Sequence, residues 1–170
     1  MFLLKKIEIE DVSLIAAYKD AMIQARSRMD GCSGLSNQRD LHKYVCRCKD
    51  YEIGINVVRG DVPTTQYICL NDENIIVGMC SLRHYLNDLL LNVGGHIGYS
   101  VHPNYRRQGV ATFMLGQLLK ICKEKDIHQV LITCLESNIA SKKTILKYHG
   151  VFEDFRYIGN EIVERYWINL

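Results

Sequence analysis

The chain has 170 residues, 48% of them apolar and 24% charged, with a formal net charge of +2. That length suits one globular domain with an ordinary core, and the near-neutral balance gives no overall electrostatic case for binding nucleic acid. No apolar run reaches the length of a membrane span, and the opening MFLLKK is too short for the apolar core of a signal peptide. Seven cysteines stand at Cys32, Cys46, Cys48, Cys69, Cys80, Cys122 and Cys134. The count is odd and no export signal accompanies it, so reduced thiols in the cytoplasm are expected. Cys69, Cys80 and Cys134 fall in apolar runs and read as small core residues. Cys46 and Cys48 lack a second pair at zinc spacing, so no metal site is expected.

Residues 2 to 8 alternate weakly and predict an opening strand. Asp11 is placed to cap a helix running through about Arg28, which Gly31-Cys-Ser-Gly34 then breaks. Asn37 to about Asp50 predicts a second helix, with Leu41, Tyr44 and Val45 on one side. Residues 51 to 63 are ambiguous: Gly54, Gly60 and Pro63 favour a loop, while Ile53, Ile55, Val57 and Val58 favour packing. From Thr65 the pattern sharpens. Thr65–Leu70 and Ile75–His84 predict a hairpin about the turn Asn71-Asp-Glu-Asn74. Residues 86 to 91 bridge to a long strand over about Val93–Val101. His128–Leu135 predicts a further strand, Ser137 or Asn138 caps a helix ending near Tyr148, and Phe152–Tyr157 with Ile162–Ile168 predict a closing antiparallel pair. The expected architecture is a mixed α/β sheet of six or seven strands in a single domain.

The most informative stretch is Gly95–Leu119, an apolar strand, a short basic loop and a long amphipathic helix. Val110, Phe113, Met114, Leu118 and Ile121 recur at helical spacing, so one face of that helix is expected to be buried. Arg106, Arg107, Gln108 and Gly109 form the turn before it. A helix start offers amide hydrogens without internal partners at the positive end of the macrodipole. Gly109 and Ala111 leave that backbone open to an anion, and the two arginines add permanent charge. Two other phosphate-binding patterns, G-x-G-x-x-G and G-x-x-x-x-G-K-[ST], are not present.

The spacing Arg106-x-x-Gly109-x-Ala111, after His102-Pro103, resembles the acyl-CoA pyrophosphate loop of the GNAT superfamily, the GCN5-related N-acetyltransferases. Asn138-Ile-Ala-Ser141 and then Gly150-Val-Phe152 follow at the distance that family's pattern requires. Gly94-Gly95-His96-Ile97-Gly98-Tyr99 and Arg165-Tyr166-Trp167-Ile168 are similar to strands of bacterial stand-alone members, so the resemblance spans roughly Gln66–Leu170. It implies a GNAT-like, mostly antiparallel central sheet flanked by helices. It also implies acetyl-CoA as cofactor and transfer of its acetyl group to a primary amine of a small molecule or peptide. By resemblance, Val101 and residues Arg107, Gln108, Gly109, Val110, Ala111 and Thr112 would meet pantetheine and pyrophosphate through their backbones, with Arg106 and Arg107 offering charge. Asn138 would bond the pantetheine arm, a role compatible with capping the helix that follows, and Ser141 would lie beside it.

The proton-transfer groups are less legible. Family members often carry a tyrosine seven residues after the asparagine to protonate the leaving thiolate; here that position is Ile145, and Tyr148 lies three residues on. Tyr148 is read either as a displaced acid or as a packing residue. His96 is either a base acting on the ammonium group or a hydrogen-bonded core histidine. Glu136, at a strand end, is either a base with a raised pKa or a surface acid. Arg83 and His84 either steer an acidic group of the acceptor or lie on an edge-strand surface. A CoA-binding module without catalysis is the alternative reading. Residues 10 to 62 would shape the acceptor side, and C-terminal edge strands could pair two subunits as a homodimer.

Overall fold

The computed structural model describes residues 1–170. Strands β1 (Phe2–Lys6), β2 (Thr64–Asn71), β3 (Ile76–Arg83) and β4 (Ile97–Val101) form one antiparallel sheet in that order. Strands β5 (Gln129–Leu135), β6 (Val151–Ile158) and β7 (Glu161–Asn169) form a second, in the order β5-β7-β6. Four helices accompany them: α1 (Val12–Gln24), α2 (Leu41–Glu52), α3 (Val110–Glu124) and α4 (Ile139–Lys147). The seven strands are those expected, in a mixed α/β arrangement, but the sheet is split four and three.

β2 and β3 are buried along almost their whole length because helices cover both faces. On one face Tyr67, Cys69, Val77, Cys80 and Leu82 pack with Val110, Met114 and Leu118 of α3, and with residues of β5 and β7. On the other, Ile68, Leu70, Ile76 and Met79 pack with Ile15, Tyr18 and Met22 of α1 and Tyr44 and Val45 of α2. Cys69, Cys80 and Cys134 are buried free thiols, as their strands predict.

Several boundaries differ from the sequence reading. α1 stops at Gln24 rather than near Arg28. Asp11 does not cap it: one carboxylate oxygen accepts the Glu8 amide at 2.8 Å and the other pairs with Lys5 at 2.8 Å. α2 starts at Leu41, where Asp40 accepts the Lys43 amide at 3.1 Å. β4 starts at Ile97 rather than Val93 because the carbonyls of Gly94 and Gly95 turn to the Arg83 guanidinium, 3.0 Å from each. Residues 90 to 94 instead form a short π-helical turn.

The loop after α1 is drawn onto the sheet by Gln66. Its side-chain amide donates to the Gly31 and Cys80 carbonyls, each at 2.9 Å, and accepts from the Ser33 hydroxyl at 2.7 Å. Gly31 there lies so near β4 that a Cβ would stand 2.2 Å from the Gly98 carbonyl carbon. Only glycine permits that crossing.

The two sheets share a core, but their strands are hydrogen-bonded to each other at one point. The His96 amide donates to the Leu131 carbonyl at 2.7 Å, and His96 Nδ1 accepts the Leu131 amide at 3.0 Å. Beyond that joint no ladder connects β4 to β5. Burial, with the nearby Arg83 charge, pushes the His96 pKa down to about 4. The native ring therefore stays neutral between about pH 4 and the ordinary value of 6.5, while the unfolded chain takes up a proton. Stability carried by this group is complete above about pH 6.5 and is lost as the pH falls towards 4. At the usual conversion the loss is on the order of 3 kcal/mol. Denaturant titrations across that range are expected to show this decline in the wild type and a shallower one in His96→Gln.

Candidate active site

The loop between β4 and α3 builds an open anion cradle from backbone alone. Arg107 (φ 62°) and Gly109 (φ 86°) both take the left-handed conformation, which turns the chain sharply into α3. The first bond of that helix runs from the Phe113 amide to the Gly109 carbonyl, 2.9 Å. The amides of Val110, Ala111 and Thr112 therefore have no partner within the helix, and those of Arg107, Gln108 and Gly109 make no backbone bond. A Cβ on Gly109 would meet nothing within 4 Å, so the space in front of the turn is clear.

This cradle opens into a cleft of about 750 Å³. Arg106, Arg107, Gly109, Val110, Ala111 and Thr112 line one part of it, and Val101, Asn138 and Ser141 another. The structure thus gathers nine of the ten expected cofactor residues around one cleft. Gln108 is the exception: its side chain folds back, donating to the Asn104 carbonyl at 3.1 Å, and does not line the cleft. The rim is cationic. Arg26, Arg28, Lys143 and Lys147 join the two loop arginines, against a single carboxylate, Asp30. Arg106 also reaches across to the Ser27 hydroxyl at 2.8 Å and so ties the segment after α1 to the cradle.

The far part of the cleft lies in the gap between the sheets. The His102 amide donates to the Val77 carbonyl at 2.9 Å, so His102 faces β3. Strand alternation therefore turns the peptide groups of Val101 and Tyr99 the other way, towards the gap, where β4 has no strand partner. Asn138 caps α4 by accepting the Ser141 amide at 3.1 Å, which leaves its side-chain NH₂ free to donate. The Ser141 hydroxyl is 2.7 Å from that of Tyr99. Burial pushes the Tyr99 phenol up to about 12, so it stays protonated at neutral pH.

The three residues nominated for proton transfer lie apart from this lining. His96 is buried at the sheet joint with its one ring acceptor committed to Leu131, which puts the hydrogen of the neutral ring on Nε2. Tyr148 donates to the Thr112 carbonyl at 2.8 Å and rests on Gly116, where a Cβ would stand 2.2 Å from its hydroxyl. It braces α4 against α3. Glu136 is exposed at the end of β5, and only its amide is engaged, with the Ile162 carbonyl at 2.9 Å.

The sequence reading missed Tyr99, Ser100, the segment Ala25–Asp30, and Lys143, Thr144 and Lys147 of α4. Tyr99 was recoverable, since it lies two residues before Val101 and shares its backbone direction. Lys143 and Lys147 stand four apart on one helix face. Nothing local marks Ala25–Asp30, which comes to the cleft only through the crossing of β4 at Gly31.

A family model described as "Acetyltransferase (GNAT) domain" matches residues 2–151. The chain belongs to the GNAT acetyltransferase family. It is 27% identical over 124 residues to an uncharacterized N-acetyltransferase, YnaD, of Bacillus subtilis, covering 70% of this chain and 71% of that one. Two solved structures from Salmonella typhimurium share the fold. One is an acetyltransferase that modifies the N-terminal serine of ribosomal protein L7/L12, at TM-score 0.71 and 17% identity, covering 99% of this chain and 95% of that one. The other is yncA, a putative acetyltransferase with its cofactor acetyl-CoA, at TM-score 0.68 and 11% identity, covering 99% and 94%. The protein is an N-acetyltransferase, and acetyl-CoA is its cosubstrate. Free amides, a cationic rim and an unpaired strand edge fit a diphosphate joined to an amide-bearing arm.

Arg106→Glu combined with Gly109→Asp puts negative charge and bulk into the cradle. Calorimetric titration is expected to show acetyl-CoA affinity falling by about tenfold or more, near 1.4 kcal/mol. Tyr148→Phe is expected to cost about 1 kcal/mol of stability through its lost hydrogen bond, with turnover unchanged in a thiol-release assay.

Proposed function

We propose that the protein transfers the acetyl group of acetyl-CoA to a primary amine of a small molecule or peptide by direct attack. The observation that carries this reading is the continuity of one cleft from the unpartnered amides of residues 107–112 to the open edge of β4. Acetyl-CoA supplies an activated thioester, so no covalent enzyme intermediate is needed.

The chain's part is to hold and orient. Residues 107–112 fix the diphosphate, Asn138 donates to the arm, and the peptide groups of Tyr99 and Val101 align that arm along β4. Tyr99 and Ser141, bonded to each other inside the cleft, are the hydroxyls available to hydrogen-bond the departing sulfur. The phenol raised to about 12 serves as a hydrogen-bond donor rather than a ready acid. Tyr148 braces a helix pair and His96 holds the joint, so neither is assigned proton transfer. The ammonium proton passes to solvent with help from Asp30, the one carboxylate in the cleft lining. A peptide N-terminus belongs among the acceptors because the Salmonella relative of the fold modifies an N-terminal serine. The seven free thiols support a cytoplasmic setting, and no helix is long and apolar enough to cross a membrane.

The test is thiol release from acetyl-CoA against polyamines, amino acids, aminoglycosides and peptides with free N-termini. Release with at least one class is expected; acetyl-CoA binding without release from any would leave a binding module and overturn the transferase. With an active acceptor, Tyr99→Phe is expected to lower kcat by about 10²-fold, while the acetyl-CoA Kd stays within about twofold. The pH dependence of kcat/KM should follow the ionisation of the acceptor amine, without a limb assignable to His96.

A further inference from the structure

A second cavity, of about 320 Å³, lies on the α1–α2 side of the four-stranded sheet. Arg47 and Tyr51 of α2, Asp61 before β2, Ser33 after α1, and Ser81 and Arg83 of β3 are among its walls. It shares no lining residue with the larger cleft. The two are nevertheless close. Ser81 pairs with Gly98 across β3 and β4, and its hydroxyl is 3.7 Å from where a Gly98 Cβ would stand. Gly98 immediately precedes Tyr99 of the larger cleft.

The charge in this cavity is unbalanced. Arg83 is held by the Gly94 and Gly95 carbonyls at 3.0 Å. Arg47 donates to the Ser33 carbonyl at 2.6 Å, and its guanidinium lies 5.7 Å from the Tyr44 ring centre and 6.0 Å from that of Tyr51. Neither guanidinium forms a salt bridge, whereas Arg28, Arg156 and Arg165 each pair with a carboxylate. Asp61 is the one acidic residue in the lining, and its Oδ2 accepts from the Tyr51 hydroxyl at 2.9 Å. Burial draws the Arg83 pKa down, and Asp61 and Asp30 offset this only in part. A cation buried beside neutral carbonyls carries a desolvation penalty that an incoming anion would relieve. Two guanidinium groups, each anchored through one arm, line this cavity with planar donors of the kind that suit a carboxylate.

We propose that this cavity binds the carboxylate of the amine acceptor, held by Arg83 and Arg47 on the far face of β4 from α3. The proposal rests on the transferase reading for its consequence, selection of acceptors that carry both an amine and a carboxylate. Its binding chemistry can be tested without turnover.

Glutarate serves as the anion probe, titrated at constant ionic strength while the side-chain Nε–H signals of the arginines are followed by nuclear magnetic resonance. Saturable shifts at Arg83 and Arg47 are expected, with Kd raised about tenfold or more in Arg47→Met and in Arg83→Gln. Arg83 also supports the turn at Gly94, so each variant is checked for wild-type acetyl-CoA affinity, which reports an intact fold. Arg47→Met keeps the test open should Arg83→Gln unfold. No saturable shift at either arginine, or equal glutarate affinity in a folded variant, overturns the proposal. In the activity arm, 4-aminobutyrate is compared with 4-aminobutyramide, and glutamate with glutamine. A carboxylate preference of about tenfold in kcat/KM that collapses in Arg47→Met is expected; no preference in an active wild-type enzyme overturns acceptor selection. Glutarate binding without thiol release from any amine would instead overturn the transferase reading and leave the anion site standing.

Discussion

Everything at the site depends on a pairing that is made once and then withheld. β4 and β5 are tied at His96 and Leu131, where backbone and imidazole together satisfy both polar groups of one residue. Past that residue the ladder stops, and the peptide groups of Tyr99 and Val101 are left facing a gap. Unpaired backbone inside a protein is costly unless something supplies partners. In the proposed function the arm of acetyl-CoA, with its own amides, supplies them. A histidine at the apex gives the wedge a fixed closing point, and its depressed pKa follows from that buried position.

The remaining parts set what enters the wedge and from where. The left-handed turn at Arg107 and Gly109 aims the start of α3 at the open end. Asn138 caps α4 with its side-chain oxygen and leaves its nitrogen free to donate into the cleft. Gln66 pulls the loop after α1 across β4 at Gly31, so that Asp30 and Ser100 line one side of the strand. Behind that loop Arg47 and Arg83 face the second cavity. The two cavities thereby approach the same short strand from different directions, an arrangement that the proposed direct transfer requires.

His96 shows how residue type leaves a role open. An imidazole on the central strand invites assignment as a base, because its ordinary pKa lies near neutrality. Whether it can accept a proton depends on the direction of its lone pair, and here that lone pair meets the Leu131 amide. Tyr148 is similar. A phenol near the end of α4 could face the cleft or the neighbouring helix, and the small side of Gly116 draws it to α3. Tyr99 figures in the sequence only as the end of the Gly94–Tyr99 motif, although its position relative to Val101 held the clue.

The amino-acid sequence alone determined the elements, the cradle and the family. Those features are local: periodicity, a small-residue turn with two arginines, and a capping asparagine act within a few residues of themselves. Tertiary structure alone decided which hydroxyl shares the cleft, that Ala25–Asp30 lines it, that Arg83 and Arg47 share a second cavity, and that the sheet opens after His96. Each of these depends on where distant segments cross and on which way a side chain points once packed. Local pattern does not encode those distances, because they are set by contacts such as Gly31 on Gly98 and Gln66 on the Cys80 carbonyl.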